Sequence, residues 1–389
     1  MSGLLPQITS LTEDMKGWRR HLHAHPETAF EEHNTADFVA DLLTSFGVEI
    51  HRGLAGTGIV GVIPGKRPGT RSIGLRADMD ALHIHEETNL PHASTEPGKM
   101  HACGHDGHMA MLLGATKHLA ANRDFTGTLH VLFQPAEENE GGGRVMVEQG
   151  LFDQFPMEAV YGMHNWPGLD VGHIASRVGP VMAGYDIFEI TLRGKGGHAA
   201  MPHLGTDQVL ASAHLITALQ SIPSRSMNPL DSAVVSVTQI HGGDTWNVIP
   251  SEVVLRGTVR TFETHVQDMV EARMAELTET VAKAFGAEAS LRYERRYPAT
   301  VNSAEETAIA MRVAASVVGE EKVDADCQPT MGAEDFAYML QARPGCYVRL
   351  GAGPGLGGCM LHNPGFDFND EILAVGASYW VRLVEDQLA

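Results

Sequence analysis

A chain of 389 residues exceeds one typical core and points to two domains, or to one large domain carrying an insertion. Its composition, 43% hydrophobic and 20% charged, is that of a globular enzyme, and 28 basic against 48 acidic side chains leave a net charge of -20. So acidic a surface argues against nucleic acid or an anionic membrane as the main partner. No apolar run approaches the ~20 residues of a membrane span, and the segment from Met1 to Arg20 lacks a signal-peptide pattern. Four cysteines without a CxxC pair make no disulfide framework. A cytoplasmic location is the expectation.

In chain order, residues 8–22 and 31–46 carry helical patterns, while 59–63 and 72–75 are short apolar runs that suit strands. Residues 109–121 read as helix, 128–133 as a buried strand, 143–149 as helix and 159–163 as strand. This alternation predicts an α/β catalytic domain with a mostly parallel sheet. Ligand-bearing residues should then follow the C-terminal ends of strands. Glu137 and Glu138 come just after 131–133, and His164 just after 160–163, so both placements obey that rule.

The pattern changes near Ala183. Residues 185–193 alternate, with Phe188, Ile190 and Leu192 on one face, and 205–221 are helical. Residues 232–240 and 252–260 alternate again, 264–285 repeat apolar residues at helical spacing, and 287–293 form a last short strand. The order β-α-β-β-α-β is that of a ferredoxin-like unit. Beyond Pro298 come helices at 303–318 and 333–341, a strand at 346–350 and a terminal helix at 370–388. The expected division is a catalytic domain built from residues 1–183 and 297–389, interrupted by an inserted domain at 184–296. The glycine-rich run 351–358 is expected to be a loop, and it lacks the Lys-Ser/Thr of a phosphate-binding loop.

Chemistry gathers in a few short stretches. Met100-His-Ala-Cys-Gly-His-Asp-Gly-His108 packs Cys103, His105 and two further histidines just ahead of a helix. Thiolate and imidazole suit Zn²⁺ and other late divalent ions, though a histidine-rich surface turn would look similar. Glu137 and Glu138 follow a buried strand; one carboxylate could bind metal while the other moves a proton, or the pair could be a solvated acidic loop. His164 ends a strand and His362 lies in a loop; either alone reads more readily as a structural histidine, but with the earlier stretches they complete a plausible set for two metals. His198, in Gly194-Lys-Gly-Gly-His198, could donate to a developing oxyanion, or merely decorate a glycine-rich turn. Asn247 and Arg260, in the same inserted unit, could grip a carboxylate.

Eight stretches, some of them those above, occur in one order that resembles a known family. They are Arg20-His-Leu-His-Ala-His-Pro-Glu27, Leu75-Arg-Ala-Asp-Met-Asp-Ala-Leu82, His101 to His108, Gln134 to Glu138, Gly162 to His164, Gly196 to Pro202, Gly332 to Phe336 and Leu361 to Asn363. The chain resembles the amidohydrolases that include hippurate hydrolases, N-acyl-amino-acid hydrolases and auxin-conjugate hydrolases, within the aminoacylase and carboxypeptidase-like metallopeptidase superfamily. The resemblance implies that Cys103, His105, Glu138, His164 and His362 hold two divalent metal ions, Mn²⁺, Zn²⁺ or Co²⁺, with Glu137 as general acid and base. It implies that the insertion is a lid and dimerisation domain, that the protein is a homodimer or a dimer-based oligomer, and that His198 reaches the partner's active site.

In one respect the chain departs from the broader superfamily, where many members place a metal-binding histidine at the position of Asp78. Cys103 is expected to supply the missing ligand, with Asp80 orienting a ligand rather than binding metal, and Glu334 and Asp335 supporting the site. The activity implied is hydrolysis of the amide bond of an N-acyl amino acid, releasing a carboxylic acid and a free amino acid. Deacetylation of an N-acetyl-diamino acid or N-acetyl-cysteine, or cleavage of a dipeptide, is the alternative on the same machinery.

Overall fold

The structure, a computed structural model, describes residues 3–138, 140–355 and 358–389. The first segment runs α1 (Pro6–Thr9), α2 (Thr12–Ala24), α3 (His33–Ser45), β1 (Glu49–Leu54), β2 (Gly58–Pro64), β3 (Arg67–Asp78) and α4 (His105–Asn122). It continues through β4 (Thr126–Gln134), α5 (Gly142–Glu148), α6 (Leu151–Gln154), β5 (Ala159–Pro167), β6 (Ile174–Ala175) and β7 (Gly179–Met182). The middle segment supplies β8 (Gly184–Arg193), β9 (Gly197–His198), α7 (Gln208–Leu219), β10 (Ala233–His241), β11 (Val248–Ile249), β12 (Glu252–Thr261), α8 (Thr264–Ala284) and β13 (Glu288–Tyr297). The last supplies β14 (Thr300–Asn302), α9 (Ala304–Val318), β15 (Val323–Asp324), α10 (Ala337–Ala342), β16 (Gly345–Gly353) and α11 (Leu373–Gln387).

Strands from both ends of the chain share one eight-stranded sheet of order β1-β2-β4-β3-β5-β16-β6-β15. Its centre, β4-β3-β5-β16, is parallel, and β1, β2 and β6 pair antiparallel towards the edges. All nine residues of β16 are buried, as expected for a parallel strand covered on both faces. Helix α4 is likewise buried nearly all round, with Met109, Met111, Leu112 and Leu113 at 0% exposure. Each such side chain contributes about 1.5–3 kcal/mol by leaving water, so the helix start that carries the metal-ligand candidates is anchored in the core.

The inserted segment forms a four-stranded antiparallel sheet, β10-β12-β8-β13. Phe188, Ile190, Leu192, Val253, Leu255 and Val259 turn one face of it inwards. Helices α7 and α8 cover that face through residues such as Leu215, Leu219, Val270 and Met274. Both the largely parallel catalytic sheet and the β-α-β-β-α-β unit are therefore present. Contacts divide the chain into Met1–Val181 with Thr300–Gln328 and Asp335–Ala389, and Met182–Ala299 with Pro329–Glu334. The short segment Pro329–Glu334 thus groups with the inserted unit, away from its sequence neighbours. Among the described residues, no helix is long and apolar enough to cross a membrane.

Several element bounds differ from the sequence pattern. Strand β1 carries no apolar alternation because it is an exposed edge, which is why periodicity passes over it. The helix expected at 109–121 starts at His105, because its first turn is polar yet buried and shows no apolar face. Gly351–Gly353, expected in a loop, extend β16; the rest of that run lies partly outside the described residues.

Candidate metal centre

The tight turn before α4 is set by Gly104. Its φ of +92° is left-handed, and a Cβ there would sit 2.4 Å from Asn165 Oδ1. Cys103 therefore closes the turn while His105 opens the helix. Glu137 and Glu138 leave the end of β4, and His164 lies near the end of β5, beside the same sheet edge. The backbone N–H of His362 donates to the Ala102 carbonyl at 2.8 Å, tying the C-terminal loop to the Cys103 turn.

These residues converge. Single donor atoms of Cys103, His105 and His164 lie within 4.8 Å of one another, as do those of Cys103, Glu138 and His362, and those of His105, Glu137 and Glu138. Cys103 Sγ is 3.3 Å from His164 Nε2, and His362 Nε2 is 3.0 Å from Glu138 Oε1. A fourth group, Asp78, His105 and His108, is equally close. However, His108 Nδ1 lies 2.6 Å from Asp78 Oδ1 and its Nε2 2.6 Å from Asn165 Oδ1, so both of its nitrogens are engaged.

The histidines are oriented from behind. His164 Nδ1 donates to the Asn165 carbonyl at 2.6 Å, and His105 Nδ1 to the Asp80 carbonyl at 2.9 Å, leaving each Nε2 turned inwards. Among the described residues, the buried His105 Nε2 has no hydrogen-bond partner. The Asp80 carboxylate also faces His105 Nδ1 with Oδ1 at 3.2 Å and accepts the Glu138 backbone N–H on Oδ2 at 2.8 Å, so one carboxylate braces two of the candidates. Burial, then repulsion from His108, holds His164 well below the usual imidazole range, neutral and able to donate a lone pair. Burial opposes charging of His105, yet Asp78 and Asp80 outweigh it and carry it up to about 10, so a positive charge is favoured beside Nε2. Burial, then Glu138 and Glu137, pushes the Cys103 thiol well above its usual range. Only a cation among these donors would make Cys103 a thiolate, and an orphaned imidazole nitrogen facing three acidic groups fits one.

A buried ionic network lies beneath. Arg76 spans Gln134 at 2.9 Å, Asp78 at 2.6 Å and Asp335 at 3.1 Å. Asp335 also accepts the Gly143 N–H at 2.7 Å, and its own N–H donates to Glu137 Oε1 at 3.4 Å. Asp335 therefore touches the Glu137 loop, and Glu334 is buried. The sequence pattern gives Arg76, Gln134 and Asn165 no role of their own, and counts His108 among the metal-binding histidines of its stretch. For Arg76 the signal is a charge within the buried second half of β3.

In the inserted unit, β9 pairs with β11, setting His198 opposite Val248, and the Ala199 N–H donates to the Asn247 carbonyl at 2.9 Å. His198 is exposed, and its Nδ1 accepts the Ala200 N–H at 3.1 Å, so its neutral form carries the proton on Nε2. Arg260 does not join them. It sits at the far end of β12, with its guanidinium 4.3 Å from the centre of the Tyr185 ring and Nε donating to the Met331 carbonyl at 3.1 Å.

The model of Peptidase family M20/M25/M40 matches residues 74–386. An N-acetyl-L-cysteine deacetylase of Bacillus subtilis is 41% identical over 375 residues, covering 96% of this chain and 88% of that protein. A hippurate hydrolase of Campylobacter jejuni is 37% identical and covers 98% of both. Among solved structures, a Bacillus subtilis protein described as a dinuclear metal binding peptidase from the M20 family superposes with a TM-score of 0.85 at 34% identity, covering 98% of this chain and 99% of that one.

Proposed function

This chain belongs to the peptidase family M20/M25/M40, and from that premise we propose that it hydrolyses the amide bond of N-acyl amino acids of the hippurate type. The observation that carries the proposal is the convergence of five donors from distant segments beside a second carboxylate, Glu137. In this reading Cys103, His105, Glu138, His164 and His362 hold two divalent ions; thiolate with imidazole suits Zn²⁺, and the added carboxylate admits Mn²⁺ or Co²⁺. When bound, such ions lower the pKa of water towards neutrality and polarise a carbonyl.

The protein groups do the rest. A Glu137 carboxylate oxygen takes the proton of the attacking water and returns it to the leaving nitrogen. Asp80 keeps His105 and Glu138 in place through its two contacts. His198, from the partner subunit of a dimer, donates a hydrogen bond from its Nε2–H to the oxyanion. Asn247 or Arg260 binds the free α-carboxylate, which the chain's net charge of -20 would otherwise repel. The inserted unit acts as lid and dimerisation domain. Met201, Leu204, Val209, Leu210, Ile240 and Trp246 leave apolar surface exposed on it, and β10 is an open sheet edge, both of which favour association.

The test is turnover by metal-loaded protein of N-benzoyl-glycine and of its amide, which lacks the free carboxylate. The acid should be cleaved, and the amide at least ~10-fold less efficiently; failure to release the amino acid from any N-acyl amino acid would sink the proposal. The identity with an N-acetyl-L-cysteine deacetylase supports a second reading, an N-acetyl-amino-acid deacetylase. A preference for N-acetyl-cysteine over N-benzoyl-glycine would select it.

A further inference from the structure

Glu32, at the start of α3, is fully buried and has no part in the mechanism above. Its Oε1 accepts the backbone N–H of Ala136 at 2.9 Å, and its Oε2 accepts the Thr57 hydroxyl at 2.8 Å. On the other side of Glu137, Asp80 Oδ2 accepts the Glu138 N–H at 2.8 Å. Glu137 thus stands between two peptide groups, each gripped by a buried carboxylate from a different part of the chain. The loop between them is tightly wound. Ala136 takes a φ of +53°, a left-handed conformation that a side chain disfavours, and its carbonyl accepts the Gly142 N–H at 2.8 Å. Gly142 permits that closure, since a Cβ there would lie 1.8 Å from the Pro135 carbonyl oxygen.

A carboxylate withdrawn from water is costly unless its oxygens are satisfied. Mere saturation of one amide would be met by any backbone carbonyl. What Glu32 adds is a link from α3 to a strained turn whose next residue is the proposed proton carrier. We propose that Glu32 is a positioning residue for the proposed reaction: by holding the Ala136 amide it fixes the left-handed turn that aims the Glu137 carboxylate into the metal centre. The proposal rests on Glu137 being the proton carrier. Burial, then the nearby Asp80 charge, pushes Glu32 up to about 7, so a neutral isostere is compatible with the site.

The experiment is steady-state kinetics on metal-loaded full-length variants, with the better of N-benzoyl-glycine and N-acetyl-cysteine as substrate. Glu32→Asp withdraws the carboxylate by one methylene and should lower kcat roughly 10–100-fold, with KM within about 2-fold and metal content unchanged, as expected for a sub-ångström misplacement of a catalytic group. Glu32→Gln keeps an acceptor for the Ala136 N–H and should restore kcat to within about 3-fold of the native enzyme. In a Glu137→Gln background, Glu32→Asp should alter the residual rate by less than about 2-fold, because coupled groups are not additive.

An undiminished kcat in Glu32→Asp, or the same loss with and without Glu137, overturns the positioning role while leaving Glu137 as the proton carrier. Near-native turnover of Glu137→Gln alone removes the proton-carrier reading, and the role of Glu32 falls with it. Should Glu32→Asp not fold, Thr57→Val deletes the second contact of the same carboxylate. It should lower kcat about 3-fold, again only when Glu137 is present.

Discussion

The two units handle charge in opposite ways. The catalytic unit buries Arg19, His23, Arg76, Asp78, Asp106 and Asp335 at 1% exposure or less and knits them into networks around the ends of β3, β4 and α4. In residues 184–296, Asp186 is the buried carboxylate, held by Tyr293 and Gln267, while His198 and Asn247 sit on an exposed two-stranded arm. A metal centre needs donors fixed in a core that can tolerate no rearrangement, because each imidazole must present one nitrogen. A group that meets substrate from outside needs exposure instead. The contrast fits a rigid centre in one unit and a reaching donor in the other.

The largest expected effect tests the first half of that contrast. Stripping metal with a chelator should lower activity by roughly three orders of magnitude or more. Hydrogen exchange should rise in residues 101–108 and 134–138 but not in β8, β12 and β13. Equal loss of protection in both units would break the distinction between them. The next effect tests the second half: His198→Ala should cost about 10²–10³ in kcat, as loss of an oxyanion donor does, with metal content unchanged. If His198 serves the partner's site, mixing inactive His198→Ala and Glu137→Gln subunits should regain activity in mixed dimers. No recovery, with subunit exchange demonstrated, would confine His198 to its own chain or to no role.

The smallest effect concerns the buried network itself. His23 lies between Asp106 at 2.8 Å and Glu86 at 3.3 Å; burial opposes its charge, but the carboxylates raise it from 6.5 to about 9. A raised folded value means this stabilisation is complete below about 6.5 and is lost as pH rises through about 9. Unfolding by denaturant should therefore show the catalytic unit weakening by roughly 2–3 kcal/mol between pH 6 and pH 9.5. His23→Gln should flatten that dependence. An unchanged slope in the variant would assign the pH effect to another group.

The same contrast explains what the sequence could reveal. Core elements with strong periodicity, such as β8, α8 and β12, are visible because one face is apolar and the other is not. The ligand candidates are visible because glycine and proline punctuate them at strand ends. What periodicity hides is polarity that is buried rather than exposed. The first turn of α4 reads as a loop because His105, Asp106 and His108 look like surface residues, yet all three are enclosed. Glu32 and Arg76 are similarly invisible: only their partners, Ala136 and Thr57 for one and Gln134, Asp78 and Asp335 for the other, give them meaning. Apart from Asp78, two residues from Arg76, those partners lie far away in the chain.

The account turns on Glu137 as the proton carrier beside the donors, and Glu137→Gln tests it most directly. The variant removes the acid–base function while keeping the shape of the side chain, so metal content, measured on the same sample, should stay at two ions per chain. Its kcat should fall by roughly two to four orders of magnitude. Near-native turnover with both ions retained would contradict it.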